Sequence, residues 1–485
     1  MVIKVVKFLG LTFLVLTAIL LIRTMLFPSL QPNIAPIPRI AVGDEGVEHL
    51  CEAVRFRTVS FDDPSLVDTV SFIHLTDYLL KSYPLATATL HPERINTTNL
   101  FYCWKGSDGA LKPILLIGHM DVVPAPDEEK WERPPFSGLQ VQGYIWGRGT
   151  MDDKVNVISI LEAVETLLKE GYKPRRTVYL AFGRDEEVGG QKGACRIVEW
   201  MKDKHIRAGF LLDEGMMIAR GLVPGIAKDV ALIGIAEKGY LSLELDVDAE
   251  AGHSSLPPRE TAIGILATAV SKLENNPMPA HFCEPVNEFL EHVGPEMPFL
   301  SRMAFANRWL FRPVIMSKYE STPAGRSVVR TSTATTEFRS GVKENIIPGH
   351  ASAVVNFRIL PGETSELVIQ HVRDVVHDDR VKLKKLGHGN NEPTAVSDYR
   401  SEGYSCIRQT IAQTFPGVLI SPSLVVAATD ARHYAPVADN LYRFIPIIVK
   451  PEDLNRIHGL NERIAEEDFR NCIRFFHQLI LNANQ

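Results

Sequence analysis

The segment PILLIGHMDVVP, residues 113–124, joins a short continuous apolar run to a group of polar side chains. Similar apolar runs cover residues 177–182 and 208–212, and a helical pattern covers residues 155–169 between the first two runs. Short apolar runs that alternate with helices are typical of strands buried on both faces of a mainly parallel sheet. We therefore predict an α/β fold built on such a sheet.

Each of the three apolar runs is followed by side chains that can bind a metal or carry a proton. They are His119 and Asp121 after the first run, Asp185, Glu186 and Glu187 after the second, and Asp213 and Glu214 after the third. The carboxyl ends of parallel strands meet at one edge of an open α/β sheet, where ligands bind. We therefore expect these side chains to converge on one site.

The hydrophobic period changes near Tyr240, where apolar and polar residues begin to alternate, as in a strand with one solvated face. A helical pattern at residues 262–273, a second alternating strand at 353–359 and a helix at 365–376 follow. After residue 394 the α/β pattern returns, and it ends in a helix over residues 466–481. We predict a catalytic domain formed by residues 45–239 and 394–485, with residues 240–393 inserted as an α+β lid.

Residues 1–30 have the composition of a signal peptide or a signal anchor. Lys4 and Lys7 precede an apolar run at residues 8–22, which continues beyond Arg23. Cleavage as a signal peptide and retention as a membrane anchor are both open. Either outcome predicts entry into the secretory pathway, with a catalytic domain that is secreted or faces the lumen or cell exterior. The sequon at Asn96 predicts a glycoprotein.

The composition excludes other classes of function. The 485-residue chain has a formal net charge of −6 and lacks a basic stripe interleaved with aromatic residues, so we expect no nucleic-acid partner. Its six cysteines include no CxxC pair, which argues against a thiolate metal site, and their disulfide pairing stays open. The chain has the composition of an ordinary globular enzyme.

The polar side chains are of the types that a two-metal site needs. An imidazole can bind zinc through one nitrogen while a carboxylate holds the other, which suggests His119 as a ligand and Asp121 as its orienting residue. Asp152, in GRGTMDDK, could bridge two ions, and helix capping by this carboxylate pair is the alternative. Glu187 could bind metal while the adjacent Glu186 acts as general base, and a solvated acidic turn is the alternative.

The motifs GHMDVVP, GRGTMDDK, DEEVGG, LDEG, AGHSS and IHGLNE together resemble those of the zinc aminoacylase, carboxypeptidase and succinyl-diaminopimelate desuccinylase family. The resemblance runs in order from about residue 45 to the end of the chain. Within the family, PAPDEEKWERPPFSG, SSLPPRETAIGILA and ATDARHYAPVADNLYRF are most similar to the secreted N-fatty-acyl-amino-acid synthase/hydrolases, and next to the Gly-X carboxypeptidases S.

The resemblance implies two Zn²⁺ ions per subunit. The implied ligands are His119, Asp152 and either Asp213 or Glu214 for one ion, with Asp213 ranked first, and Asp152, Glu187 and His458 for the other. Glu186 would be the general base. His253, in AGHSS, would stabilise the oxyanion, and the family often places this histidine across the interface of a homodimer formed through the lid.

Other residues are candidates for binding the substrate. Arg358 lies on an alternating strand, and its planar guanidinium suits a carboxylate; an ion pair on an exposed strand is the alternative. Asn345 and Arg432 are further candidates for the same pocket. The apolar segment 299–311 is interpreted either as a groove for a fatty acyl chain or as core.

The implied activity is the reversible cleavage and formation of N-fatty-acyl amino acids. N-acyl amino acids, fatty acids and free amino acids are then the expected small-molecule partners. A zinc carboxypeptidase or dipeptidase acting on peptides is the first alternative. A catalytically inactive, membrane-tethered binding protein is an alternative of another class, which the complete set of candidate ligands and base disfavours.

Overall fold

The computed structural model describes residues 2–387 and 390–485. Its α-helices are α1 (Val2–Met25), α2 (Asp44–Arg55), α3 (Thr69–Ser82), α4 (Pro84–Leu90), α5 (Lys154–Lys169), α6 (Ala194–Asp203), α7 (Ala262–Asn275), α8 (Glu284–Val293), α9 (Phe299–Ala306), α10 (Arg308–Glu320), α11 (Pro323–Val329), α12 (Ser365–Val376), α13 (Glu402–Thr414) and α14 (Glu466–Asn482). The helices predicted from periodicity agree with α5, α7, α12 and α14 to within two residues at each end.

The strands include those predicted from continuous apolar runs and those predicted from alternating apolar and polar residues. They are β1 (Glu93–Ile95), β2 (Asn99–Trp104), β3 (Ile114–His119), β4 (Leu139–Val141), β5 (Tyr144–Trp146), β6 (Val178–Gly183), β7 (Phe210–Asp213), β8 (Ile218–Ala219), β9 (Val230–Glu237), β10 (Gly239–Asp248), β11 (Gly252–His253), β12 (Ser332–Ser340), β13 (Ile346–Ile347), β14 (His350–Ile359), β15 (Val381–Lys385), β16 (Leu419–Val425), β17 (Leu441–Arg443), β18 (Ile448–Val449) and β19 (Arg463–Ala465).

A 10-stranded sheet forms the centre of the molecule, in the order β1-β2-β6-β3-β7-β17-β9-β8-β18 with β16 paired to β9. β3 runs parallel to both β6 and β7, and β17 runs parallel to β7. Alternate residues of β3 enter two cores: Ile114 and Leu116 pack with α5 and α14, and Leu115 and Ile117 pack with α6. Burial on both faces explains the continuous apolar run, and the predicted α/β architecture is confirmed.

A second, four-stranded antiparallel sheet has the order β12-β14-β10-β15. Along β10, buried positions alternate with partly exposed ones, and the buried leucines pack against α7 and α12. This one-sided burial explains the change of period near Tyr240. The division of the chain into a catalytic domain and a lid at residues 240 and 393 stays a prediction.

Helices α8 to α11 have no counterpart in the predicted elements. The segment 299–311 forms α9 and the start of α10, and Phe299, Leu300, Trp309 and Leu310 are exposed. Assigning the whole segment to the core is therefore wrong, because these four side chains are exposed while only others, such as Phe305 and Phe311, pack against a buried cluster.

Candidate metal centre and active site

His119 is the last residue of β3 and is buried. Its Nδ1 lies 3.0 Å from the carbonyl oxygen of Asp121 and 3.4 Å from the Oδ1 of the same residue. Donation from Nδ1 to the carbonyl leaves Nε2 as the nitrogen that can bind a metal. Asp121 thus contacts the ring as expected, although its main-chain oxygen is closer than its carboxylate.

The carboxylate of Asp121 holds the turn that follows β6. Its Oδ1 accepts a hydrogen bond from the Glu186 amide at 3.2 Å, and its Oδ2 accepts one from the Glu187 amide at 3.3 Å. Asp121 is fully buried, so these bonds are shielded from water. One residue therefore positions the two glutamates and His119 relative to each other, the glutamates through its carboxylate and the histidine through its main-chain carbonyl.

Asp152 lies between two imidazoles. Its Oδ1 is 3.0 Å from Nε2 of His119, and its Oδ2 is 2.9 Å from Nε2 of His458. Oε2 of Glu187 lies 3.2 Å from the same His458 nitrogen. A carboxylate that offers one oxygen to each side is the arrangement that a ligand shared by two ions requires.

Two groups of side chains have the geometry of metal sites. One consists of His119, Asp152 and Glu214 and the other of Asp152, Glu187 and His458, and in each group one ligand atom per residue lies within 4.8 Å of the others. Asp213 instead accepts a hydrogen bond from the Ala431 amide at 2.8 Å through its Oδ2. The structure therefore favours Glu214 as the third carboxylate and reverses the ranking made from the sequence.

The helix-capping interpretation of the carboxylate pair in GRGTMDDK is wrong. Asp153 occupies the N-cap position of α5, but its side chain makes no capping hydrogen bond. Its Oδ2 accepts a hydrogen bond from the His119 amide at 3.0 Å. The pair therefore serves the site: Asp153 fixes the end of β3, and Asp152 lies between the two imidazoles.

Divalent cations fit this group of side chains. Burial, and then the negative charges of Asp152 and Asp153, raise the pKa of Glu214 well above its ordinary range. Burial also raises the pKa of Glu186. Within the described ranges, Oε1 of Glu187 is buried without a hydrogen-bond partner. Buried carboxylates in this number require compensating positive charge, which metal ions would supply.

A family model for the M20/M25/M40 peptidases matches residues 115–482. The chain belongs to peptidase family M20/M25/M40. It is therefore an enzyme of the hydrolase class, and the candidate ligand groups agree with a metallopeptidase family. The family assigned from the motifs is confirmed.

Two relatives of this family member cover almost the whole chain. The N-fatty-acyl-amino acid synthase/hydrolase PM20D1 of Xenopus tropicalis is 41% identical over 97% of this chain and 93% of its own length. The probable carboxypeptidase S-like 2 of Dictyostelium discoideum is 40% identical over 96% of this chain and 92% of its own length. Both enzyme types that the sequence segments resembled are therefore among its relatives.

A solved structure supports the fold. The M20 family metallo-carboxypeptidase Sso-CP2 from Sulfolobus solfataricus superposes with a TM-score of 0.69 at 17% sequence identity. The superposition covers 91% of this chain and 100% of the other. The family architecture thus extends across both the large and the small sheet.

Arg358, the first arginine candidate, stacks on an aromatic ring and is influenced by the charge of the second, Arg432. Arg358, on β14, is opposite Tyr240 of β10, and its guanidinium carbon is 4.6 Å from the centre of the Tyr240 ring. Burial lowers the pKa of Arg358, and the charge of Arg432 lowers it further. A partly buried guanidinium under the influence of a second positive charge is suited to binding an anion.

His253 and Asn345 lie at the short pairing of β11 with β13. His253 is exposed on β11, which pairs with β13, and the amide of Ser254 donates to the Asn345 carbonyl oxygen at 3.2 Å. The Nδ1 of His253 lies 2.7 Å from the Ser255 hydroxyl. No hydrogen bond joins His253 to a candidate ligand in the part of the chain that the structure describes. Its role toward the oxyanion stays a prediction.

The buried pair Arg148–Glu462 is part of the site and was missed from the sequence. Arg148 Nη1 donates to Glu462 Oε2 at 2.7 Å, and Glu462 Oε1 accepts from the amides of Gly149 and Met151 at 3.0 and 2.8 Å. Arg148 Nη2 also donates to the carbonyl oxygen of His458 at 3.2 Å. The pair therefore ties the loop of Asp152 to the loop of His458. Both residues lie in motifs quoted above, which was the available signal.

A second buried pair supports the other side of the site. Arg443 Nε donates to Glu237 Oε1 at 2.7 Å, and the Thr429 hydroxyl donates to the same oxygen at 2.7 Å. Both charged side chains are fully buried. Thr429 begins the turn that carries Ala431 and Arg432, so this pair fixes the turn that contacts Asp213.

Proposed function

We propose that this protein is a two-zinc amidohydrolase that reversibly cleaves and forms N-fatty-acyl amino acids. The observation that carries the proposal is the Asp152 carboxylate placed between His119 and His458, with Glu186 beside the ligand candidate Glu187. The substrate class is supported by the Xenopus relative, whose name gives N-fatty-acyl amino acids as its substrates. The complete set of ligand candidates argues against the inactive-binding-protein alternative.

The residues divide into two ligand sets that share one carboxylate. His119, Asp152 and Glu214 would hold one ion, and Asp152, Glu187 and His458 would hold the other. Two zinc ions in these sets would supply Lewis acidity, polarising a carbonyl oxygen and making a water molecule more acidic. Asp121 keeps the His119 ring in the orientation that leaves Nε2 available.

Glu186 is the proposed general base. Its amide is fixed by Asp121, and its side chain lies beside the ligand set without belonging to it. The carboxylate takes a proton from the attacking water and returns it to the nitrogen of the leaving amino acid. His253 would donate a hydrogen bond to the oxyanion. Each transfer runs in either direction, so the same residues would serve synthesis.

The substrate carboxylate is assigned to Arg358 and Arg432, with Asn345 as a further contact. An amide nitrogen next to a free carboxylate is common to N-acyl amino acids and to the C-terminal end of a peptide. The Dictyostelium relative therefore keeps a zinc carboxypeptidase as the second candidate function. The two candidates differ in the acyl side of the amide and share the metal centre.

A comparison of two amides with the same leaving group separates these candidates. We expect the full-length, zinc-loaded protein to hydrolyse N-oleoyl-leucine with a kcat/KM at least about tenfold above that for blocked Gly-Leu. A tenfold ratio requires only ~1.4 kcal/mol of additional transition-state binding, which burial of part of the acyl chain would supply. Steady-state leucine release from both substrates measures the ratio. A preference for the dipeptide would contradict the lipid assignment and favour the carboxypeptidase.

N-oleoyl-leucinamide is the matched control for carboxylate binding. If Arg358 binds the substrate carboxylate, the parent protein has a lower KM for N-oleoyl-leucine than for N-oleoyl-leucinamide. Arg358→Leu then removes most of this difference, because it raises the KM for N-oleoyl-leucine. Equal discrimination in the variant would assign carboxylate binding to another group.

We also propose that α1 directs the chain into the secretory pathway and that the protein forms a homodimer through the four-stranded sheet. α1 is long and apolar enough to cross a membrane by length and composition. Asn96, the sequon residue, is exposed, as glycosylation requires.

A further inference from the structure

The carboxyl end of α1 is attached to α9 by specific polar contacts. Arg23 Nε donates to the carbonyl oxygen of Ala306 at 3.3 Å, and Asn307 Nδ2 donates to the carbonyl oxygen of Leu20 at 3.2 Å. Thr24 and Asn307 are both buried at this junction. A leader that is removed after targeting has no need of such contacts, so they indicate that α1 belongs to the folded protein.

The chain just after α1 is also attached to the protein, through Phe27. Arg302 Nη2 donates to the carbonyl oxygen of Phe27 at 2.8 Å. The Phe27 ring lies so close to Gly294 that an added Cβ there would be 2.9 Å from it. The chain from Leu20 to Phe27 is therefore fixed to the protein, with no flexible spacer between α1 and the surface of α9.

The remainder of α1 projects from the protein as an apolar helix. Its 24 residues make it long enough to cross a membrane, and its apolar window is not buried within the protein. At ~1.5 Å per residue, the part of α1 that precedes the attachment, residues 2–19, spans about 27 Å, close to the roughly 30 Å of the hydrocarbon core of a bilayer. If α1 crosses a membrane, the junction with α9 lies at the membrane surface.

Next to this junction, α9 and α10 expose an apolar surface, which we name the α9–α10 patch. It consists of Phe299, Leu300, Trp309, Leu310 and Val314, which are 53%, 73%, 57%, 40% and 64% exposed. The same segment carries Arg302, Arg308, Arg312 and Lys318. Arg308 pairs with Glu291 and Arg302 binds the Phe27 carbonyl oxygen, which leaves Arg312 and Lys318 as the basic residues available to an external anion. Aromatic and aliphatic side chains combined with Arg and Lys are typical of helices that lie in the membrane interface.

We propose that the α9–α10 patch lies in the interfacial region of the bilayer that α1 crosses. The rigid attachment of Leu20 to Phe27 holds the patch at the height where the apolar helix enters the membrane. The protein would then sit directly on the lipid surface rather than at the end of a tether. Arg312 and Lys318 would contact lipid phosphates while the apolar side chains enter the interface.

The location of the patch also relates to the substrate, a consequence that rests on the proposed function. On the side of α9 and α10 that faces the protein interior, Phe305 and Phe311 pack against an apolar cluster that includes Leu360 and Leu424. Leu360 is two residues from Arg358 on the chain. A fatty acyl amide dissolved in the bilayer would therefore meet the protein on the side from which apolar packing continues toward the carboxylate-binding strand.

Fluorescence quenching by lipid tests the contact independently of any activity. The full-length protein is reconstituted into vesicles that contain phospholipids brominated near the headgroup end of the acyl chains. The chain has five tryptophans, of which Trp309 is exposed in the patch while Trp104, Trp131 and Trp146 are buried in the fold. We expect quenching in the parent protein, loss of most of it in Trp309→Phe and its retention in Trp200→Phe.

A triple variant provides the second arm. Leu300→Ser, Leu310→Ser and Val314→Ser together are expected to expose Trp309 to aqueous iodide in the vesicles, while the control substitutions Leu256→Ser and Val342→Ser, at exposed positions elsewhere, leave it shielded. Equal bromolipid quenching in the parent protein and Trp309→Phe would overturn the proposal. Shielding from iodide without bromolipid quenching would overturn it too, and would indicate a protein partner or a second copy.

Discussion

Replacing Glu186 by Gln is expected to lower kcat by about 10²–10⁴-fold, the range that general acid–base catalysis contributes, while the bound zinc is retained. Gln has the size of Glu but cannot accept a proton from water at neutral pH. The Glu186 side chain lies outside both ligand groups, and its amide is held by Asp121 whichever side chain is present. Steady-state kinetics and the zinc content of the purified variant measure the two effects separately.

Glu187→Gln is the matched control at the adjacent position. Its side chain belongs to the second ligand group, so we expect this variant to lose bound metal along with activity. A Glu186→Gln variant that keeps the parent kcat would show that another group acts as base. If Glu186→Gln instead lost zinc, Glu186 would be a metal ligand and the roles assigned to the two glutamates would be reversed.

Replacing Glu462 by Gln is expected to destabilise the protein by about 3–5 kcal/mol, because it leaves the guanidinium of Arg148 buried without a counter-charge. The loops of Asp152 and His458 would also lose a common anchor, which we expect to lower zinc affinity by about 10–100-fold. Urea unfolding of the zinc-loaded protein and a competition titration with a chelator measure these quantities.

The exposed pair Arg57–Glu128 supplies a control for Glu462. Its Nη1–Oε1 distance of 2.8 Å is close to that of the buried pair, but both side chains are largely solvated. Glu128→Gln should therefore change the free energy of unfolding by about 0–1 kcal/mol and leave zinc affinity unaltered. Similar effects of the two substitutions would mean that Arg148–Glu462 does not organise the site.

Local sequence sufficed for the central sheet and for most of the candidate ligands. The run at residues 114–117 is apolar because its alternate side chains enter two different cores, and this pattern predicts a buried strand without further information. Since parallel strands end at a common edge, the residues that follow them were expected to meet. The hydrogen bonds from the Glu186 and Glu187 amides to the Asp121 carboxylate have that origin, whereas Asp152 and His458 lie outside these strand ends.

The features that could not be predicted depend on distant parts of the chain. Asp213 ends β7 and Glu214 follows it, so their side chains point in different directions and the choice between them depends on what each one meets. Asp213 meets the Ala431 amide, more than 200 residues away along the chain. The Arg148–Glu462 pair likewise joins two motifs separated by 314 positions.

The exposed apolar side chains of α9 and α10 could not be interpreted from periodicity for another reason. Apolar residues at helical spacing predict a buried face, and composition does not say whether protein or lipid covers it. The attachment of α1 at residues 20–27 supplies that information, since it places an apolar helix of membrane-spanning length beside this surface.

The proposed function requires that one carboxylate, Asp152, is shared by two metal ions. Anomalous diffraction at the zinc edge from crystals of the zinc-loaded protein would locate these ions. We expect two peaks about 3.5–4 Å apart on either side of the Asp152 carboxylate, one beside His119 and Glu214 and the other beside Glu187 and His458. A single peak, or two peaks that do not share Asp152, would contradict it.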